Sequence, residues 1–152
     1  MPSTAPVFRD LDFTEIESML KEHTYGRLAF SFRDRVDIEP IHYVYQSGWL
    51  VCRTGPGTKL TLLSHHPWVA FEIDEVRGLF EWRSVVVKGT VYFAEPDGSP
   101  LNEEAWRTSV EALRRLVPSA LTATDPTPGR SVVFRIHIDE MHGRAAHTEA
   151  GA

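Results

Sequence analysis

Residues 49–63 read Trp49-Leu50-Val51-Cys52-Arg53-Thr54-Gly55-Pro56-Gly57-Thr58-Lys59-Leu60-Thr61-Leu62-Leu63. An apolar run leads into a glycine-proline-glycine turn, and the spacing of Leu60, Leu62 and Leu63 after it predicts the start of a helix. The segment is thus a strand, a tight turn and a helix N-terminus. Such an order can hold a phosphate. Glycines let backbone N–H groups approach an anion, the first helical turn adds unpaired donors and a partial positive charge, and Lys59 adds a full one. Gly-Pro-Gly followed by a hydroxyl residue is also an ordinary turn and cap, so the hexapeptide 54–59 alone carries two readings.

On the N-terminal side the hydrophobic period is two. Leu28, Phe30 and Phe32 alternate with smaller or polar residues, residues 33–35 make a polar turn, and Val36, Ile38, Ile41, Tyr43 and Tyr45 form the returning strand. Pro40 interrupts it, and because proline cannot donate to a ladder it marks an edge, a bulge or a strand start. Residues 46–48 are a turn into the quoted segment. Earlier still, Thr14 and Glu17 have the spacing of a capping box for a helix with Ile16, Met19, Leu20 and His23 on one face, ended at Tyr25-Gly26.

On the C-terminal side the helix after Lys59 stops at His65-His66-Pro67. Residues 68–74 alternate as a strand, residues 75–78 are a polar connection, and residues 79–93 are the longest β-rich segment. Val85-Val86-Val87 within it is apolar on both faces, which suits a central strand or a subunit contact, and Gly89 predicts a bulge or barrel corner. Asn102, with Glu103 and Glu104 in the first turn, is expected to cap a second long helix carrying Trp106, Val110, Leu113 and Val117 and ending at Pro118. A final strand is expected over residues 131–138. About six or seven strands with three helices between them give a mainly β chain, an antiparallel β-barrel with peripheral helices. Residues 1–13 read as an N-terminal arm, 14–144 as the domain and 145–152 as a flexible tail.

The 152 residues are one domain's worth. A formal charge of -5 without a basic run argues against nucleic acid as a partner and leaves a small molecule. No apolar run approaches the roughly 20 residues that cross a bilayer, and with no leader pattern the chain is expected to be cytoplasmic. Cys52, the only cysteine, can make no internal disulfide and reads as a packed thiol. His65 and His66 are neighbours that diverge by about 100° on a helix, and strand alternation scatters His137, Asp139, Glu140 and His142, so no metal site is expected. Nothing resembles a nucleophile elbow. A phosphate cradle without a self-sufficient catalytic set is the pattern of a protein whose cofactor carries the reaction.

Several motifs in order resemble one family: Gly26-Arg27-Leu28-Ala29-Phe30, Pro40-Ile41-His42-Tyr43, residues 54–59, Phe71-Glu72-Ile73-Asp74, residues 82–89 (Trp-Arg-Ser-Val-Val-Val-Lys-Gly) and Met141-His142-Gly143-Arg144. They resemble the pyridoxamine 5′-phosphate oxidase-related, FMN-binding split-barrel family over about residues 14–144. The resemblance implies a six-stranded antiparallel split β-barrel that forms a homodimer with FMN at the subunit interface. It implies an oxidoreductase passing electrons between FMN and a small organic substrate. A non-catalytic flavin- or haem-binding module, or a reductase using the deazaflavin F420, is the alternative on the same barrel. By the same resemblance His42, Tyr43 and Val44 line the flavin ring and its ribityl chain, with His42 a tuner of the ring. Arg53 and Thr54 stand at the end of the next strand, Thr58 and Lys59 grip the phosphate, and Ser84 turns a polar side chain toward the flavin. The grip around Gly57-Thr58-Lys59 is sparser than that of the true pyridoxamine-phosphate oxidases. This points instead to the nitroimidazole-resistance-like or actinobacterial-type branch, although Cys52 stands where the former has histidine.

Overall fold

The computed structural model describes residues 5–58, 60–62 and 67–149. Lys59, the C-terminal part of the helix expected after it, and His65-His66 lie outside the described residues. The elements are β1 (Pro6–Asp10), α1 (Phe13–Glu22), β2 (Tyr25–Phe32), β3 (Arg35–His42), β4 (Val44–Gln46), β5 (Trp49–Thr54), β6 (Trp68–Gly78), β7 (Glu81–Ala94), α2 (Pro100–Leu113) and β8 (Val132–Thr148), with one 3-10 turn at Leu60–Leu62. The eight strands form a single antiparallel sheet in the order β3-β2-β6-β7-β8-β5-β4, with β1 added along β8. β3 and β4 do not pair with each other, so the barrel is split rather than closed.

The sheet curls because its inward residues share one core. Leu28 and Phe30 of β2, Leu50 and Cys52 of β5, Phe71 and Ile73 of β6, Val85 and Val87 of β7, and Phe134 and Ile136 of β8 pack together with Met19 and Leu20 of α1. Tyr43, between β3 and β4, is wholly buried there and donates its hydroxyl to Leu20 O at 2.8 Å. A second cluster forms on the other side of the sheet, where Val44, Val51, Ala94 and Val133 meet Ala112 and Leu113 of α2. The consecutive apolar residues of β5 follow from this arrangement, since Leu50 and Cys52 face the barrel core while Val51 faces α2.

Gly89 behaves as its place in a strand predicts. The β7–β8 register shifts between Lys88 and Gly89, and a Cβ at Gly89 would lie 2.2 Å from His137 O. Only a glycine lets the two backbones approach this closely at the bulge. Pro40 sits within β3, an edge strand, where the missing donor leaves no ladder bond unmade.

Several expected boundaries are corrected. The capping box of α1 is Asp12 with Glu15, not Thr14 with Glu17: Asp12 Oδ1 accepts from Glu15 N at 2.8 Å and Glu15 Oε2 from Asp12 N at 2.9 Å. Ser99 caps α2, with Pro100 in the first turn, and Asn102 lies inside the helix. The helix ends at Leu113, five residues before Pro118. β6 runs through the expected connection at 75–78, and the chain turns into β7 at Leu79-Phe80. Gly26, expected to end the first helix, lies inside β2. The arm and tail are the largest change. Residues 6–10 pair with 144–148 from Pro6 opposite Thr148 to Asp10 opposite Arg144, and Ala145 and Ala146 are buried. Each terminal segment completes the other's ladder, a pairing that neither segment's own periodicity signals. Among the described residues no helix is long and apolar enough to cross a membrane.

Candidate functional site

Three segments meet at one end of the barrel: the end of β3, the end of β5 with the turn after it, and the connection from α2 to β8. β5 places Arg53 and Thr54 opposite Val133 and Val132 of β8. The Arg53 guanidinium, 9% exposed, forms an ion pair with the Asp125 carboxylate, 2% exposed. Arg53 also donates from Nε to Arg130 O at 2.8 Å and from Nη2 to Thr127 O at 3.2 Å. Asp125 in turn accepts from Leu121 N at 2.8 Å and Thr127 N at 2.9 Å. The Arg53 hydrogen bond, above all, and the backbone donors hold the Asp125 carboxyl well below the usual carboxylate range, against the opposing effect of its burial. Together these contacts fix the loop 121–130 against the end of β5.

Two adjoining clefts, of about 310 and 250 Å³, share His42, Arg53 and Arg130. The first is completed on the β side by Tyr25, Glu39, Thr54 and Gly55, the second on the helical side by Leu113, Leu116 and Val117. His42 faces out from β3, its ring 5.4 Å from that of Tyr25 and its Nδ1 3.2 Å from Thr24 O. The turn after β5 comes within reach of the loop, a Cβ at Gly55 falling 3.3 Å from Gly129 O, and Gly57 takes a φ of +77° that favours glycine. Thr58 Oγ1 is buried with no hydrogen-bond partner among the described residues, while Thr58 O accepts from Thr61 Oγ1 at 2.8 Å. A buried hydroxyl left without a partner is costly, and beside a glycine turn it has the chemistry of an anion's donor.

The structure therefore brings His42, Arg53 and Thr54 to one cleft, and the turn carrying Thr58 begins at its wall. Lys59 lies outside the described residues. The side chains of Tyr43 and Val44 are taken out of the cleft, one into the barrel core and the other under α2, so these two residues can meet a ligand only through their main chain. Ser84 stands apart on the outward face of β7, between Asp74 of β6 and Arg144 of β8. Cys52 is fully buried and burial pushes its thiol up, as befits a packing residue. His137 Nδ1 lies 2.8 Å from Asp139 Oδ1, but no group of three or more His, Cys, Asp or Glu able to hold a metal occurs among the described residues. Sequence reasoning passed over Asp125 and Arg130. The signal available was the run Asp125-Pro126-Thr127-Pro128-Gly129-Arg130, in which an Asp two residues before an N–H donor reads as an Asx turn.

A split antiparallel barrel with a glycine-walled cleft at the mouth of its edge strands defines the class of protein. Residues 12–145 match the family model described as pyridoxamine 5′-phosphate oxidase, and the chain belongs to that family. An uncharacterized protein of Rhizobium meliloti is 30% identical over 141 residues, spanning 87% of this chain and 91% of that one. Among solved structures, an FAD-binding protein from Mesorhizobium loti is 26% identical with a TM-score of 0.67, over 94% of this chain and 99% of that one. The FAD binding protein from Mycobacterium smegmatis is 22% identical with a TM-score of 0.67, over 90% and 99%. The likeness to the latter shows the split-barrel fold.

Proposed function

We propose that this chain is a cytoplasmic flavoprotein that holds FMN by its phosphate at the turn 54–59 and passes electrons between the flavin and a small organic substrate. The observation that carries the reading is the buried Thr58 hydroxyl, without a partner among the described residues, in a glycine turn that opens from the His42–Arg53 cleft. The FAD-binding names of two structural neighbours support a flavin, and the turn's spacing supports a phosphate. When bound, the flavin supplies the redox chemistry. The chain's part is to bind and orient: Thr58 Oγ1, Lys59 and the turn's N–H groups take the phosphate. Thr54 and Arg53 shape the wall, Tyr43 and Val44 have only their main chain to offer the flavin, and His42, whose Nδ1 is engaged with Thr24 O, offers Nε2 toward the cleft.

Dimerisation belongs to the same reading. The outward face of β3, β2, β6 and β7 exposes Val36 (82%), Ile38 (63%) and Trp68 (73%). The half-buried Ala29 and Ala70 lie in register between Ile38 and Lys88, and Val86 lies two residues along β7. Such an apolar face calls for a cover. A second copy of the chain would provide one and let Ser84, remote from the cleft of its own chain, serve the site at the seam.

The test is titration of the apo-protein with FMN and with riboflavin, which has the same ring without the phosphate. FMN is expected to bind far more tightly, and the loaded protein to bleach with a reduced nicotinamide and regain its colour in air. Equal binding of the two flavins would refute the phosphate cradle. Stable colour without turnover would leave a flavin-binding module and refute the oxidoreductase.

A further inference from the structure

The loop 121–130 contributes a cation that the turn 54–59 does not explain. Arg130 is exposed, lines both clefts, and has no acceptor for its guanidinium among the described residues. Its main chain, by contrast, is tied down firmly: its carbonyl accepts from Arg53 Nε at 2.8 Å and its N–H donates to Thr127 O at 3.0 Å. Arg53 cannot itself serve an incoming anion with a full charge, because Asp125 neutralises it in a nearly closed setting. The buried pair instead works as a clamp that presents Arg130 over Thr54 and Gly55. Among the described residues that line the two clefts, Glu39 is the one carboxylate.

From this geometry, and resting on the flavin reading above, we infer that Arg130 is a second phosphate-binding cation, placed by the Arg53–Asp125 pair beside Thr54 and Gly55 at the start of the turn. A guanidinium with a fixed backbone and a free planar fork is suited to bidentate contact with a phosphate oxygen pair. Asp125 is a positioning residue for it. The ligand class is therefore a phosphorylated flavin, FMN or FAD, gripped by the turn and by the loop that lies against it.

The experiment compares wild type, Arg130→Gln, Arg130→Lys and Asp125→Asn by fluorescence titration with FMN, FAD and riboflavin at two salt concentrations. Arg130 is exposed, so its variants are expected to fold, with circular dichroism as the check. Arg130→Gln is expected to weaken FMN and FAD about ten- to a hundredfold, leave riboflavin unchanged and flatten the salt dependence of FMN binding, with Arg130→Lys in between. Asp125→Asn is expected to lower the FMN-to-riboflavin affinity ratio in the same direction, a ratio that general loss of stability would not move. Wild type that binds FMN with Arg130→Gln unchanged overturns the Arg130 assignment and leaves the flavin reading standing. Wild type that binds neither FMN nor FAD overturns both.

Discussion

Val86 and its neighbours separate the barrel's own stability from its proposed association. Val85 and Val87 are fully buried in the core, whereas Val86, half-buried, points outward between Glu72 of β6 and His142 of β8. Of the apolar run 85–87, which suits a subunit contact by its sequence, only Val86 is therefore placed to report on one. In an isolated barrel Val86→Lys places an ammonium beside the Glu72 carboxylate on a surface open to water, where substitutions shift stability by about 0.5 kcal/mol or less. In a dimer that closes over this face the ammonium is desolvated, and Glu72 is already engaged by Arg27 at 2.9 Å through its Nε. A charge left imperfectly paired in a closed interface costs about 2–5 kcal/mol, and a two-fold axis applies the substitution twice. A weakening of about a thousandfold or more in the dimer dissociation constant follows. Val87→Lys instead puts the charge in the barrel core, at a cost of several kcal/mol against a total stability of about 5–15 kcal/mol, and is expected to unfold the chain. Sedimentation of apo and FMN-loaded protein over a dilution series reads the first effect and thermal unfolding the second. FMN that binds only the dimer is expected to lower the apparent subunit dissociation constant. A Val86→Lys chain that dimerises and binds FMN like wild type would show that this face is not the seam.

Lys59→Ala is expected to fold normally and to weaken FMN binding about ten- to a hundredfold, the worth of one charged hydrogen bond; an unchanged dissociation constant by titration removes Lys59 from the site. Gly89→Ala forces a methyl group to within 2.2 Å of His137 O, so it is expected to lower stability by about 1–3 kcal/mol in urea unfolding. Asp125 gives a pH signature. Its folded-state pKa is depressed below the ordinary 3.8, so the stability it confers is fully present above that value and is lost as pH falls toward the folded one. Asp125→Asn should accordingly be less stable than wild type at neutral pH, with the gap closing below about pH 4; a gap that stays constant down to acid pH would contradict the pair.

Part of the candidate site was legible because it is local. The turn 54–59 and the strand before it are contiguous, and the chemistry of a glycine turn with hydroxyl and cation is written within six residues. Gly89 was legible for the same reason, since a glycine within an apolar strand has few other uses. That the side chains of Tyr43 and Val44 are core was not legible, because an aromatic next to a β-branched residue reads alike whether it lines a ligand or a core. Only the position of α1 and α2 on opposite sides of the sheet decides that both are core.

The sequence by itself determined the period of each strand, the turns at 33–35 and 46–48, and the order of motifs that marks the family. These depend on neighbours a few residues apart, where alternation and turn chemistry act directly on the backbone. Only the tertiary structure decided that residues 6–10 and 144–148 are strands, that Asp125 reaches across to Arg53, and that Val86 faces outward while Val85 and Val87 do not. Each of these rests on a partner tens of residues or more away: β1 on β8, a loop on the end of β5, and the two walls of one sheet on what covers them. Polar and alanine-rich segments carry no period strong enough to announce such a partner. Their conformation is set by the ladder and the buried ion pair that they complete.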